Sequence, residues 1–173
     1  INLHPRDLAD DHLERRLAPL LPSAARTVIE ITERAAVRDV PHWQDSLTRL
    51  SAHGFSIAAD DVGSGYNSLL VLAELSPRFI KVDMGIIRGV DRSPAKQRLL
   101  QLLARFSQGS GATLIAEGIE TAAEAEAVRA CGVDWLQGYF FGHPRRPAQV
   151  GGFALAPASG SPPGRDVRCA LGT

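Results

Sequence analysis

From Ile1 to about Phe141, short β-branched or apolar runs alternate with longer amphipathic stretches, and this alternation constrains the chain more than any other feature. The strand candidates are Ile1–Leu3, Thr27–Ile31, Phe55–Ala59, Phe79–Val82, Ala112–Ala116 and Trp135–Tyr139. The helices between them have recognisable ends. Trp43, Leu47 and Leu50 recur at helical spacing, and His53-Gly54 closes that segment. Ser93-Pro94 pairs a capping serine with proline in the first turn, opening a leucine-rich helix that stops at Gly109-Ser110-Gly111. Thr121 with Glu124 is a capping box, and its helix ends at Cys131-Gly132.

Strand-then-helix repetition implies parallel strands joined by helical crossovers, either in an open doubly wound sheet or in a closed (β/α)8 barrel. The barrel is favoured. An open nucleotide-binding sheet carries a glycine-rich first turn, and none follows Leu3 or Ile31. Polar and acidic residues instead follow nearly every strand, where barrel active sites are built. The strand count falls short of eight. Either two strands precede Ile1, which itself opens inside an apolar run as a piece of a longer protein would, or the sheet is a different, open one. The expected division is a partial barrel domain over 1–150 and a flexible Gly/Pro-rich tail over 151–173.

The strand ends present Asn2, then Glu30 and Glu33, then Asp60-Asp61, then Lys81 and Asp83, then Glu117 and Glu120, then Gln137. In a parallel sheet these all lie at one mouth. Converging carboxylates repel one another unless a cation neutralises them. An all-oxygen donor set suits a hard ion such as Mg²⁺ or Mn²⁺, and adjacent acids such as Asp60 and Asp61 can flank a pair of ions. Lys81 would hold a water or neutralise charge on a phosphoryl oxygen, so phosphodiester hydrolysis is the chemistry inferred. The plainer readings are a helix-capping loop for Asp60-Asp61 and a first-turn acid for Glu120. A lysine flanked by apolar residues is harder to read as surface decoration. A Schiff-base aldolase built on Lys81 is the alternative chemistry. The five histidines show no ligand spacing and are read as surface or capping residues, and Tyr139-Phe140 is expected to pack at the barrel rim.

Composition narrows the partners. Nineteen basic residues balance nineteen acidic ones, which argues against a face for duplex nucleic acid. No apolar run approaches the roughly 20 residues of a membrane span. Cys131 and Cys169 form neither a metal spacing nor a disulfide framework, so the cytoplasm is the expected compartment.

The stretches Ile29–Glu33, Ala59–Leu69, Phe79–Asp83, Ile115–Thr121 and Gln137–Phe141 resemble, in order, the successive motifs of EAL domains, the bacterial cyclic-di-GMP phosphodiesterases. The resemblance spans roughly residues 1–147. It implies a modified TIM (β/α)8 barrel of EAL type, with about six of its eight strands in this sequence. It also implies Mg²⁺ or Mn²⁺, as two ions, opening cyclic-di-GMP to linear pGpG. By position, Asn2, Glu30 and Asp60 resemble ligands of one ion, and Asp60 with Asp61 the site of the second. Lys81 resembles the lysine that orients the attacking water, and Glu117 the acid proposed as base or further ligand. Glu33 is similar to the glutamate that steadies the loop after Asp61, while Asp83, Glu120 and Gln137 resemble supporting residues. A homodimer through the helix after that loop is expected. The Glu-Ala-Leu signature, whose glutamate is a ligand in the family, belongs to the segment before Asn2, and Asp61-Val62-Gly63 stands where the family often has Asp-Phe-Gly. The reading from another class is an inactive EAL-like receptor or interaction module. With two edges unpaired, a sheet of these strands alone is expected to be unstable or to self-associate.

Overall fold

A computed structural model of the chain describes residues 1–32, 37–64 and 69–144; Glu33, residues 65–68 and residues 145–173, which include the expected tail, lie outside the described residues. Among the described residues six strands form one sheet: β1 (Asn2–Leu3), β2 (Val28–Thr32), β3 (Ser56–Val62), β4 (Phe79–Val82), β5 (Thr113–Ala116) and β6 (Trp135–Leu136). Their spatial order is their chain order, and every neighbouring pair is parallel. A doubly wound sheet reverses direction at a switch point. This one never does, so it is an arc of barrel wall, with β1 and β6 as its unjoined edges.

The helices are α1 (Leu13–Leu17), α2 (Trp43–Ala52), α3 (Leu69–Leu75), α4 (Met84–Ile87), α5 (Pro94–Ser110) and α6 (Ala122–Ala130), with 3₁₀ turns among them. Their ends follow the local chemistry. The Ser93 hydroxyl accepts from the Lys96 amide at 3.4 Å with Pro94 in the first turn, and Gly111 ends α5 in the left-handed conformation at φ 75°. Thr121 and Glu124 form the capping box of α6.

Alternation along the strands separates two faces. Ile29 and Ile31 on β2 and Ile80 and Val82 on β4 are fully buried. With Leu50, Leu100 and Val128 from the helices they belong to one continuous core. Each such side chain stabilises the fold by roughly 1.5–3 kcal/mol. The intervening Glu30 and Lys81 point to the opposite, half-covered face, where they meet.

Two strand ends differ from the sequence expectation by more than one residue. β3 does not stop at Ala59 but runs on to Val62, so Asp60 and Asp61 belong to the strand. Between Ala59↔Ile80 and Val62↔Val82 the register slips, three steps along β3 matching two along β4. One extra residue is thereby accommodated as a β-bulge. β6 stops at Leu136 rather than Tyr139, because Gly138 turns the chain back. A Cβ at Gly138 would lie 2.2 Å from the Ile119 carbonyl oxygen, so only glycine lets the backbones approach this closely. The aromatic pair after it does not pack inward: Tyr139 is exposed and stacks on His143 at 4.3 Å, and Phe140 is exposed with its edge against Phe141.

Candidate metal and active site

The carboxyl ends of β2, β3, β4 and β5 converge on one ammonium group. Lys81 Nζ, on β4, lies 3.0 Å from Glu30 Oε2 on β2, 2.9 Å from Asp60 Oδ1 on β3 and 3.0 Å from Glu117 Oε1 just beyond β5. The parallel register makes this possible, since Thr32 pairs with Asp60 and Val82 with Ala116, bringing consecutive strand ends to one level. All of these side chains are largely withdrawn from solvent, with 13% of Lys81 and 14% of Asp60 exposed. A site this dry strengthens every charge in it.

Asp61 joins the group through backbone geometry. In an uninterrupted strand, neighbouring side chains point to opposite faces, which would send Asp61 away from Asp60. The bulge and the positive φ of Asp61, 56°, break that alternation. Asp60, Asp61 and Glu117 each offer an oxygen, all within 4.8 Å of one another. Aspartate is among the few non-glycine residues that enter the left-handed region readily.

The charges act on one another. Burial pushes the Lys81 ammonium towards losing its proton, but the Asp60, Glu117 and Glu30 carboxylates beside it outweigh that and hold it above the usual lysine range. For Glu117 burial dominates: it raises the carboxyl above its ordinary value, Lys81 opposes the rise, and the charges of Asp60 and Glu30 add to it.

The donor set suits a divalent cation. It is all oxygen, as Mg²⁺, Mn²⁺ or Ca²⁺ require. Metal–oxygen bonds of about 2.0–2.6 Å put the ligands of one ion within roughly 5 Å of each other. Asp60 Oδ1 is also buried without a hydrogen bond of normal geometry, despite the nearby ammonium. A buried oxygen of that kind has lone-pair capacity to spare.

The remaining sequence candidates lie elsewhere. Asn2 stands opposite Glu30 in the β1–β2 ladder, exposed at the sheet edge. Asp83 turns to cap α4, its Oδ1 accepting from the Gly85 amide at 2.7 Å. Glu120 pairs with Arg88 at the surface. Gln137 continues the β6 ladder through its backbone, donating to the Ala116 carbonyl at 2.8 Å and accepting from the Ile119 amide at 3.1 Å. Sequence reasoning passed over Arg88 and the reach of Glu124, whose carboxylate accepts from the backbone amides of Gly89, Glu120 and Thr121. The capping box announced the last of these contacts, and nothing local announced Gly89.

Comparison with known proteins is consistent with this arrangement. The bifunctional diguanylate cyclase/cyclic di-GMP phosphodiesterase MucR of Pseudomonas aeruginosa is 32% identical over 123 residues, covering 71% of this chain and 18% of MucR. The cyclic di-GMP phosphodiesterase PdeF of Escherichia coli is 28% identical over 149 residues, covering 84% of this chain and 20% of PdeF. The chain thus spans about a fifth of the length of these curated relatives. Among solved structures, Klebsiella pneumoniae BlrP1 in its calcium and cyclic-di-GMP complex superposes with a TM-score of 0.75 at 30% identity, over 81% of this chain and 37% of BlrP1. BlrP1 has also been solved with manganese and cyclic-di-GMP. The EAL domain sequence model matches residues 1–144, from β1 through the turn beyond β6, and on that match the chain belongs to the EAL domain family.

Proposed function

We propose that the protein to which this chain belongs carries out the metal-dependent hydrolysis of cyclic-di-GMP to linear pGpG, with this chain supplying the residues below. The observation that carries this reading is the meeting of Asp60, Asp61 and Glu117 beside Lys81 at the carboxyl ends of the strands, in a fold of the EAL family. Asp60, Asp61 and Glu117 would hold Mg²⁺ or Mn²⁺, with Glu30 and Asn2 on the adjoining strands completing the set for one ion and Asp60 with Asp61 flanking a second. When bound, such ions polarise a phosphoryl oxygen and make water a stronger nucleophile.

The chain's own residues do the rest. Lys81 directs N–H donors into the mouth, where they orient the attacking water and offset negative charge growing on the phosphoryl oxygens. Glu117, held by burial at a raised proton affinity, is suited to take a proton from that water. Glu33, Asp83, Glu120 and Gln137 would support the pocket and its loops. Lys81 is poorly suited to the Schiff-base alternative, because a lysine kept protonated by three carboxylates lacks the free amine that attack on a carbonyl needs.

The reading extends to assembly and location. A homodimer would use the region of α3, where Leu70 presents an exposed apolar side chain. Among the described residues no helix is long and apolar enough to cross a membrane. We place the reaction in the cytoplasm.

The test is incubation of the chain with cyclic-di-GMP and Mn²⁺ or Mg²⁺, linear product being followed by chromatography. Turnover that Asp60→Ala abolishes supports the enzyme. Tight cyclic-di-GMP binding by a folded chain without turnover would replace it with the receptor reading.

A further inference from the structure

An ammonium has three N–H donors, and one oxygen each from Glu30, Asp60 and Glu117 lies within 3.0 Å of Lys81 Nζ. These acids come from three different strand ends. With Asp61 added, the described residues of the mouth gather four carboxylates near the Lys81 ammonium. Remove that charge and the acids repel one another across a site with little solvent to screen them.

The three contacts are unequal. Glu30 Oε2 accepts a hydrogen bond of normal geometry from Nζ at 3.0 Å. Asp60 Oδ1 is nearer, at 2.9 Å, yet lies off the line a hydrogen bond requires. The ammonium therefore hydrogen-bonds Glu30 and meets Asp60 as an ion pair that leaves lone-pair capacity on Oδ1. Asp60 is also one of the residues whose oxygens converge with those of Asp61 and Glu117.

We propose that the Lys81 ammonium is the resident cation of the unloaded mouth, competing with an incoming divalent ion for the Asp60 and Glu117 oxygens. This rests on the metal-dependent reading above. It adds that Lys81 lets the fold exist without metal, and that metal affinity is held down by the lysine that the chemistry needs.

Lys81→Met keeps the length of the side chain and removes its charge. Mn²⁺ binding is measured by the electron paramagnetic resonance of the free ion, and thermal melting is followed in EDTA and in excess Mn²⁺. Lys81→Met is expected to lower the melting temperature in EDTA by about 10 °C, to recover most of that loss with Mn²⁺, and to bind Mn²⁺ about tenfold more tightly than the wild type. Lys81→Arg retains a charge, so it is expected to melt within a few degrees of the wild type in EDTA and to bind Mn²⁺ no more tightly. Should Lys81→Met fail to fold in either condition, Lys81→Arg decides: an EDTA melt near the wild type supports the proposal, and a loss as large as that expected of Lys81→Met overturns it. Mn²⁺ binding by the wild type that Lys81→Met leaves unchanged or weakens overturns this inference alone. Absence of Mn²⁺ binding in every variant and in the wild type overturns the metal reading together with it.

Discussion

Glu117 and Glu124 flank the same loop between β5 and α6, and both are withdrawn from water, yet they are held in opposite ways. Glu124, 6% exposed, is ringed by amides from Gly89, Glu120 and Thr121 at 2.9–3.1 Å. Burial pushes its carboxyl up, but those amides together outweigh burial and hold it below the ordinary glutamate range. Glu117 has one ammonium, shared with two other acids, and burial keeps its proton affinity raised. A carboxylate whose lone pairs are filled by fixed amides is part of the frame. One left with a shared cation keeps capacity for a ligand or a proton. The contrast separates a structural from a chemical acid on the two sides of a single loop, though both are glutamates after a strand.

Five experiments sharpen or break that contrast. The largest effect is expected at the mouth: Asp60→Ala should lower cyclic-di-GMP hydrolysis by on the order of 10²-fold or more, while circular dichroism reports a folded chain. Glu124→Ala should destabilise the chain by about 2 kcal/mol in urea titrations, since three buried amides lose their acceptor. Glu117→Gln should change stability in EDTA by less than about 1 kcal/mol while abolishing turnover, the pattern of a group kept for chemistry at some cost to the fold. Equal destabilisation by Glu117→Gln and Glu124→Ala would erase the distinction.

The pH dependence of Glu124 is a smaller effect with a definite sign. Its folded-state proton affinity is depressed, so its contribution is complete above the ordinary glutamate value and is lost as the pH falls through the depressed folded one. Glu124→Gln should therefore flatten the acid limb of the urea midpoint between pH 6 and 3. The smallest effect belongs to Glu120→Ala. Its ion pair with Arg88 is half-exposed on both sides, and the change should stay below about 0.5 kcal/mol.

The alternation of strands and helices was legible because it is written locally: Ser93-Pro94, the Thr121–Glu124 box, and glycines at Gly111 and Gly132 are each read within a few residues. So was the gathering of strand-end residues at one mouth, which follows from parallel pairing alone. Cross-strand facts were not legible. Nothing in Ala59-Asp60-Asp61-Val62 says that β3 holds one residue more than β4 opposes it, because register belongs to the pair of strands. Asp83 shows the converse. As a strand-end acid it was expected to support the pocket, but the Gly85 amide two residues ahead takes up its carboxylate. The strand expected through Tyr139 ended early for a non-local reason too, the close approach of Gly138 to Ile119.

The bulge in β3 means that the spacing of the two aspartates is fixed by counting rather than by packing. A side chain positioned by its neighbours drifts when they are substituted. A residue positioned by an extra step in a ladder keeps its place until that step is deleted. Deleting either Asp60 or Asp61 would bring β3 back into phase with β4 and leave the sheet regular, but with a single acid from β3 at the mouth. The fold would tolerate the loss better than the site would. In this protein, regularity of the backbone and competence of the centre are alternatives, and the strand has kept the irregular one.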